Sequence, residues 1–342
     1  VGGKGTSQNK EGFSLSFGPH LIDKKGPLWQ LCKRLSKRKP ANSSIRLDKI
    51  EILGNGMIRP RGHISKVIEN RRALRSKDTS YHVVRGASFL SSWDSNNTAR
   101  LDSLSKSKML VSNEGWIGLA GRLAAALDEI GVLIECGMKV DSLHDYGVKL
   151  KNGKRVEADV VILACGLNGA RKLLTDIHPT RTKQTLANPS RTTASIIELG
   201  LDSKPLRDRQ AIIDTENNTA VIDYVAIQSL LSTRGSHLSA ITVGGLSGDV
   251  GETRFESSEE RLQYLEAFLD SQASGWREHI VTDLRQEKIT IHEYCDNEID
   301  GFAFSDVGII LAGAWVKSDY ILADAAVHSG RTAGKNIGRA QH

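Results

Sequence analysis

The stretch Gly308-Ile309-Ile310-Leu311-Ala312-Gly313, followed by Ile321-Leu322-Ala323-Asp324-Ala325-Ala326 and Ser329-Gly330-Arg331-Thr332-Ala333, decides how the rest of the chain is read. Its first six residues form a continuous apolar run, the pattern of a strand buried in a sheet. The residues after it predict a helix from about position 322 to position 337. Ala326, Gly330, Gly334 and Gly338 recur every four positions and so share one face of that helix. A helical glycine costs roughly 1 kcal/mol relative to alanine, which is tolerated where another backbone or a flat ligand comes close. Tight packing on a sheet is the plainer reading of the stripe. In a parallel α/β fold ligands collect at the carboxyl ends of strands, and a helix amino terminus placed there favours negative charge. Asp319 and Asp324 flank the helix start, where Asp usually caps.

Working outward, Val160-Val161-Ile162-Leu163-Ala164 is a second run rich in β-branched residues, expected to be a strand buried on both faces. Cys165 at its end reads as a buried thiol. Before it, strands over 147–150 and 155–156 form a hairpin across Asn152-Gly153, a strong turn signal. Ile117, Ala120, Leu123, Ala124, Leu127 and Ile130 recur at three and four, which predicts a helix opening near Gly115, capped by Asn113 and ended by Gly131. Val132-Leu133-Ile134 then reads as a strand. Strand patterns over 194–199, 211–213, 221–222 and 237–243 form an antiparallel-looking block, followed by a helix over 257–271 with Leu262, Leu265, Phe268 and Leu269 on one face. Near the start, a strand over 13–17 stops at the Gly18-Pro19-His20 turn, and a basic amphipathic helix is expected over 28–35. Residues 36–110 are polar, with strand patterns at 50–52 and 81–84, a Gly54-Asn55-Gly56 turn and a loop over 91–108. Thus α/β material brackets β-rich material. The fold expected is α/β: a discontinuous Rossmann-like cofactor domain (1–25, 109–188 and 297–342) with an inserted α+β substrate domain (26–108 and 189–296).

Composition narrows the function. The chain has 342 residues and a formal charge of +6, from 46 basic and 40 acidic residues. That mild excess suits an anionic cofactor or substrate, or weak peripheral contact with an anionic membrane. The basic clusters over 33–39 and 71–77 have no interleaved aromatics and read as solvated faces, so nucleic acid is not expected. Cys32, Cys136, Cys165 and Cys295 have no metal or redox spacing, and a reducing, cytoplasmic setting is expected. No apolar run approaches the ~18 residues of a membrane-spanning helix. H-E-x-x-H, G-x-S-x-G, the phosphate-binding G-x-x-x-x-G-K-[ST] and G-x-G-x-x-G are all absent, and no metal is expected. His20 and His328 read more readily as structural than as catalytic. Val1-Gly2-Gly3-Lys4-Gly5 is a Gly-rich loop with a cation, whose amides can face a pyrophosphate. It lacks an initiator Met, so the chain is expected to open inside a longer reading frame.

Four segments in order resemble one family. Val1-Gly2-Gly3-Lys4 with Gly12-Phe13 and Phe17-Gly18-Pro19-His20, then 115–140, then Ala158 to Ala164, and finally Leu311 to Val316 with Ile321 to Ala326 and Ser329 to Ala333, resemble FAD-dependent flavoproteins of the phytoene-desaturase and amine-oxidase type. The segment Gly275 to Val281 adds to this likeness. The closing motif is the most specific of these. The resemblance implies FAD as cofactor, contacted by Gly2, Gly3, Lys4, Gly18, Pro19, His20, Val140, Ala164, Gly313, Ala314, Trp315, Leu322, Ala323 and Ala326. It implies a dehydrogenase, desaturase or oxidase that removes hydride from a C–C or C–N bond of a small molecule, a lipid or isoprenoid among the options. The flavin carries such redox chemistry, and no catalytic side chain is nominated. There are departures. The family's first βαβ unit, with its G-x-G-x-x-G, should precede Val1. Lys4 stands for Arg and loses bidentate geometry. Ala314 stands where the family usually has an Asp on the ribityl or pyrophosphate side of FAD. On that account the alternative is a flavin-less relative acting as a binding or partner protein.

Overall fold

The structure, a computed structural model, describes residues 2–35, 40–46, 49–53, 109–145, 147–214, 216–232, 235–249 and 252–340. The expected 81–84 strand, 54–56 turn and 91–108 loop lie outside the described residues, as does the 71–77 basic cluster. The chain forms two compact units, Val1–Val132 with Thr192–Ile291, and Leu133–Arg191 with His292–His342.

The first unit is built on a mixed sheet of six strands, in the order Ile280–Tyr294, Ser190–Leu201, Ser236–Val243, Thr219–Asp223, Ala211–Asp214 and Ile50–Leu53. The inner pairs are antiparallel, and Ile50–Leu53 joins the edge in parallel. Ser190–Leu201 is buried from Thr192 onward because both of its faces are covered. Ile197, Leu199 and Leu201 point to one side and pack on Leu265, Phe268 and Leu269 of the helix Ser258–Gln272. Ile196 points to the other side and packs on Phe13 and Leu15, which belong to a hairpin of Ser7–Lys10 and Phe13–Ser16. This alternation is the period of two expected of a pleated strand. Ser257 caps the helix, its Oγ accepting from the Glu260 N–H at 3.1 Å. The fully buried Arg261 locks the same helix to the sheet. It donates to the Thr193 and Gly244 carbonyls and pairs with Asp249 at 3.2 Å.

A small antiparallel sheet of Ile22–Asp23, Met109–Ser112 and Asn42–Ser44 leads into the helix Gly115–Glu129. Asn113 does not cap this helix. Its N–H is engaged by the Ala41 carbonyl at 3.0 Å. The cap position falls to Glu114, whose N–H donates to Ser112 Oγ and whose carboxylate pairs with Arg122. Gly131, at φ +78°, ends the helix as expected.

In the second unit Val161–Leu163 pairs in parallel with Ile309–Leu311. The hairpin across Asn152-Gly153 forms, extended by Val140–His144 into three antiparallel strands. The helices are Leu167–Ile177, Pro179–Thr185 and Leu322–Lys335. Leu163, Leu167, Leu174, Phe304, Ile309 and Leu311 lie in one core. Several expectations need correction. Val132-Leu133-Ile134 forms no strand; the Val132 N–H turns back to the Leu127 carbonyl at 2.9 Å, and Leu133 is 81% exposed. Ile162 is 39% exposed, so its strand is covered on one face only. Cys165, past the strand end, is exposed. Gly330, Gly334 and Gly338 face open space; the buried side of the last helix is Ala325, Ser329 and Ala333, one position away. No helix among the described residues is long and apolar enough to cross a membrane.

Candidate functional site

The first unit brings the opening glycines and the Gly18-Pro19-His20 turn to one place. Gly3–Gly5 closes as a tight turn, the Gly5 N–H donating to the Gly2 carbonyl at 2.8 Å. The turn lies on the start of the helix Gly115–Glu129. A Cβ added at Gly2 would meet Ile117 at 3.3 Å, and one at Gly5 would meet Trp116 at 3.4 Å. The Lys4 ammonium donates to the Ile291 carbonyl at 3.0 Å. The His20 ring lies on the same Trp116, with ring centres 4.9 Å apart.

The Gly18-Pro19-His20 turn is held by side chains of the large sheet. Gly18, at φ +103°, donates its N–H to Glu198 Oε1 at 3.1 Å. Pro19 has no N–H to place. The His20 N–H donates to the Tyr224 hydroxyl at 2.6 Å. Glu198 is fully buried. Its Oε1 also accepts from Ser239, and its Oε2 meets His237 Nε2 at 2.8 Å. Leaving one member of such a buried hydrogen-bonded cluster without its partner typically costs about 1–3 kcal/mol. Tyr224 is aimed by its neighbour: Asp223 accepts from the Val225 and Ala226 N–H groups and from Ser236, fixing the one-turn helix Tyr224–Ile227. Burial raises the Asp223 carboxyl pKa and pushes the Tyr224 phenol up, so the phenol stays protonated.

Ser16, His20, Ser112, Trp116, Tyr224 and His237 line a small cleft that is open to solvent. Burial lowers the His20 ring pKa from 6.5 to about 4, so the ring is neutral at physiological pH. His20 Nε2 and Trp116 Nε1 are buried without a partner. An unmade hydrogen bond at such a group costs about 1–3 kcal/mol. The cleft can hold a polar group against aromatic walls. Sequence reading singled out His20 but not Glu198, Tyr224 or His237. The signal was available at Glu198, an acid inside the apolar run Ile196-Ile197-Glu198-Leu199.

The remaining expected cofactor residues lie in the second unit. Val140 opens a strand opposite Leu150. Ala164 follows Leu163, whose carbonyl accepts from the Ala312 N–H at 3.0 Å. Glu293 then caps the helix Leu167–Ile177, accepting from the Leu167 and Asn168 N–H groups, each at 3.3 Å. Gly313 leaves the strand Ile309–Leu311 at φ +150°, and its N–H donates to Ser329 Oγ at 2.9 Å. That bond ties the crossover to the last helix. A Cβ at Gly313 would collide with the Trp315 indole. Trp315 is 8% exposed, and its Nε1 is buried without a partner. The last helix begins at Ile321 with no side-chain cap, and Leu322 adopts φ +50°, a strained value for a residue with a side chain. The first-turn amides of such a helix have no intrahelical acceptor and favour an anion. Ala323 and Ala326 lie within this beginning of the helix. His328 holds Ser318 at 3.1 Å, a packing role. No cluster suited to a metal occurs among the described residues.

Comparisons with known proteins bear on the family and the fold. The model of the family of flavin containing amine oxidoreductases matches residues 85–337. No curated protein sequence matches significantly. Among solved structures, an oxidoreductase from Methanosarcina mazei superposes with a TM-score of 0.65 at 14% identity, covering 97% of this chain and 91% of that one. A redesigned putrescine oxidase gives 0.66 at 16% identity over 99% and 91%. Cyclohexylamine oxidase from Brevibacterium oxydans gives 0.61 at 14% identity over 97% and 89%. At these identities the structural likeness carries the fold alone.

Proposed function

The chain belongs to the family of flavin containing amine oxidoreductases, and from that premise we propose that it removes hydride from a C–C or C–N bond of a small molecule, with a lipid or isoprenoid among the substrates that fit. FAD is the cofactor of this family, and when bound it supplies the hydride acceptor. The proposal assigns residues 1–25, 109–188 and 297–342 to cofactor binding and 26–108 and 189–296 to the substrate. The net charge of +6 supports weak peripheral contact with an anionic membrane, where a lipid substrate would reside.

The observation that carries the reading is the Gly313 crossover. It is pinned to Ser329 and followed by an uncapped helix amino terminus with a strained Leu322. This segment fits an anionic, flat cofactor. Ala314 carries no bulky side chain, Trp315 Nε1 lacks a partner, and the amides of Leu322 and Ala323 favour a phosphate or a charged ring. Gly313, Ala314, Trp315, Leu322, Ala323 and Ala326 would hold FAD there. Gly2, Gly3, Lys4 and the Gly18-Pro19-His20 turn of the first unit are proposed as cofactor residues on the family resemblance of those motifs alone. Ala314 offers no side-chain hydrogen bond, so backbone groups would serve in its place.

The test is the visible spectrum of the protein purified from its complete coding sequence. Flavin bands that bleach on anaerobic reduction are expected. A colourless protein that is folded and unresponsive to added FAD would overturn the reading in favour of a binding or partner role. Ala314→Asp restores an acceptor. A hydrogen bond to a charged or buried partner is worth about 1.5–3 kcal/mol, so FAD should bind about tenfold tighter or better, as measured by flavin fluorescence titration.

A further inference from the structure

The helix Pro27–Leu35 has two faces of opposite chemistry. Leu28, Trp29 and Cys32 are buried and make the inward face. The outward face holds Gln30 and Arg34, one turn apart, with Lys33 beside them. Gln30 also orders the approach to the helix. Its Nε2 donates to the Lys24 carbonyl at 3.4 Å, and its N–H donates to the Gly26 carbonyl at 3.2 Å. A tight turn fixes the residues between them: the Lys25 N–H donates to Asp23 Oδ1 at 2.7 Å, and the Gly26 N–H to the Asp23 carbonyl at 3.0 Å. The Lys24-Lys25 turn is thereby tied to the residue that shares its face with Arg34. Lys24, Lys25 and Arg34 are exposed and Lys33 is half-buried. Half-buried Leu31 and, one turn on, Leu35 at 43% exposure form an apolar ridge beside these cations. The sequence has no Asp or Glu from Lys24 to Leu47, so the charge along this segment is of one sign.

We propose that Lys24, Lys25, Lys33 and Arg34, with the Leu31 and Leu35 ridge, form a surface that docks on an anionic lipid bilayer. Charge complementarity carries the choice. A basic segment gains with each cation it brings to an anionic leaflet. The headgroup boundary takes up apolar side chains placed beside those cations. Trp29, the aromatic residue of the helix, is buried, so the helix offers no ring for the base stacking that single-stranded nucleic acid uses. By sequence the helix alone reads as a solvated face; the turn tied to Gln30 adds two cations to it. The inference deepens the peripheral membrane contact proposed above and rests on that part of the reading only. The FAD assignment is independent of it.

The experiment sediments the protein from its complete coding sequence with vesicles of phosphatidylcholine alone, or of phosphatidylcholine and phosphatidylserine in equal parts. Binding to the mixed vesicles at low salt should be about tenfold tighter or better, and should be lost at about 1 M salt, where the Debye length is about 3 Å. Lys24→Gln with Lys25→Gln, and Lys33→Gln with Arg34→Gln, should each weaken it about tenfold or more. Leu35→Ser should weaken it about threefold. Lys151→Gln with Lys154→Gln removes the same charge from exposed positions of the other unit, and should change binding by about twofold at most. Unfolding midpoints are recorded alongside. The Lys24 and Lys25 pair lies outside the helix and decides the matter should the helix variant fail to fold. Equal binding to both kinds of vesicle would overturn the proposal. So would equal losses in the control and the surface variants, or duplex DNA binding as tightly as the mixed vesicles at the same salt. The absorbance of the same samples keeps the two readings apart. A yellow protein indifferent to phosphatidylserine loses this surface and keeps the flavin reading. A colourless one that sediments through Lys24 and Lys25 keeps the surface and loses the flavin.

Discussion

His20 sits where three constraints meet. Its N–H is spent on the Tyr224 hydroxyl, its ring lies on Trp116, and its Nε2 has no partner. Burial moves its pKa from 6.5 down to about 4, which has a consequence for stability. Between these values the unfolded chain binds the proton that the folded chain refuses. Stability is therefore full above pH 6.5 and falls as pH drops toward 4. The loss at pH 4 is about 2–3 kcal/mol from this group. His20→Gln cannot take the proton, so its urea midpoint should fall less steeply than that of the unaltered protein between pH 6.5 and 4. Parallel profiles would refute the buried neutral ring. The glycines and His20 were legible in the sequence because turns advertise themselves through residue type. Glu198 shows in the sequence only as an acid inside an apolar run, and Tyr224 and His237 do not stand out, because their roles depend on strands distant in sequence.

At the level of elements, helix starts show how far local sequence reaches. Ser257 caps its helix from the neighbouring position, and the sequence placed that helix correctly. The helix Leu167–Ile177 has no local cap: Gly166 precedes it at φ +81°, and the carboxylate on its amides comes from Glu293, more than a hundred residues away. Caps of this kind are worth about 0.5–2 kcal/mol, with a further share from the helix dipole. Glu293→Ala should therefore lower the denaturation midpoint by a comparable amount, while Glu293→Gln, which keeps an acceptor, should lower it less. Equal losses in the two variants would mean that the side chain acts through packing. Asn113 shows the reverse case, a suitable cap residue diverted because its backbone joins the sheet instead.

For the whole molecule, the telling feature is apolar surface. Ile130 is 74% exposed and Leu133 81%, with Val132 and Ile134 exposed between and beside them. Consecutive exposed apolar residues promote association. Residues 1–342 expressed alone should self-associate, and the double change Ile130→Lys with Leu133→Lys should shift light scattering toward the monomer with little change in the unfolding midpoint. If the double variant unfolds several degrees lower instead, these side chains are packed in solution. The same run explains a failed expectation. Val132-Leu133-Ile134 has strand propensity, but a strand exists only where a neighbour completes its ladder.

The sequence by itself determined the family, the order of α/β and β-rich material, the last strand and helix, and the Gly-Pro-His and Asn-Gly turns. The family rests on the resemblance of its motifs in order; the rest follow from period and turn chemistry, which are local. Only the tertiary structure decided that Gly18 and His20 hang on Glu198 and Tyr224, that Trp116 receives both the opening glycines and His20, and that Gly330, Gly334 and Gly338 of the closing stretch face outward. The stripe was read correctly as one face, but which face a helix buries is set by its neighbours. Here Ala325, Ser329 and Ala333 take the buried side, and Ser329 binds Gly313. The close approach that the glycines suggested is made at the crossover, by a hydroxyl.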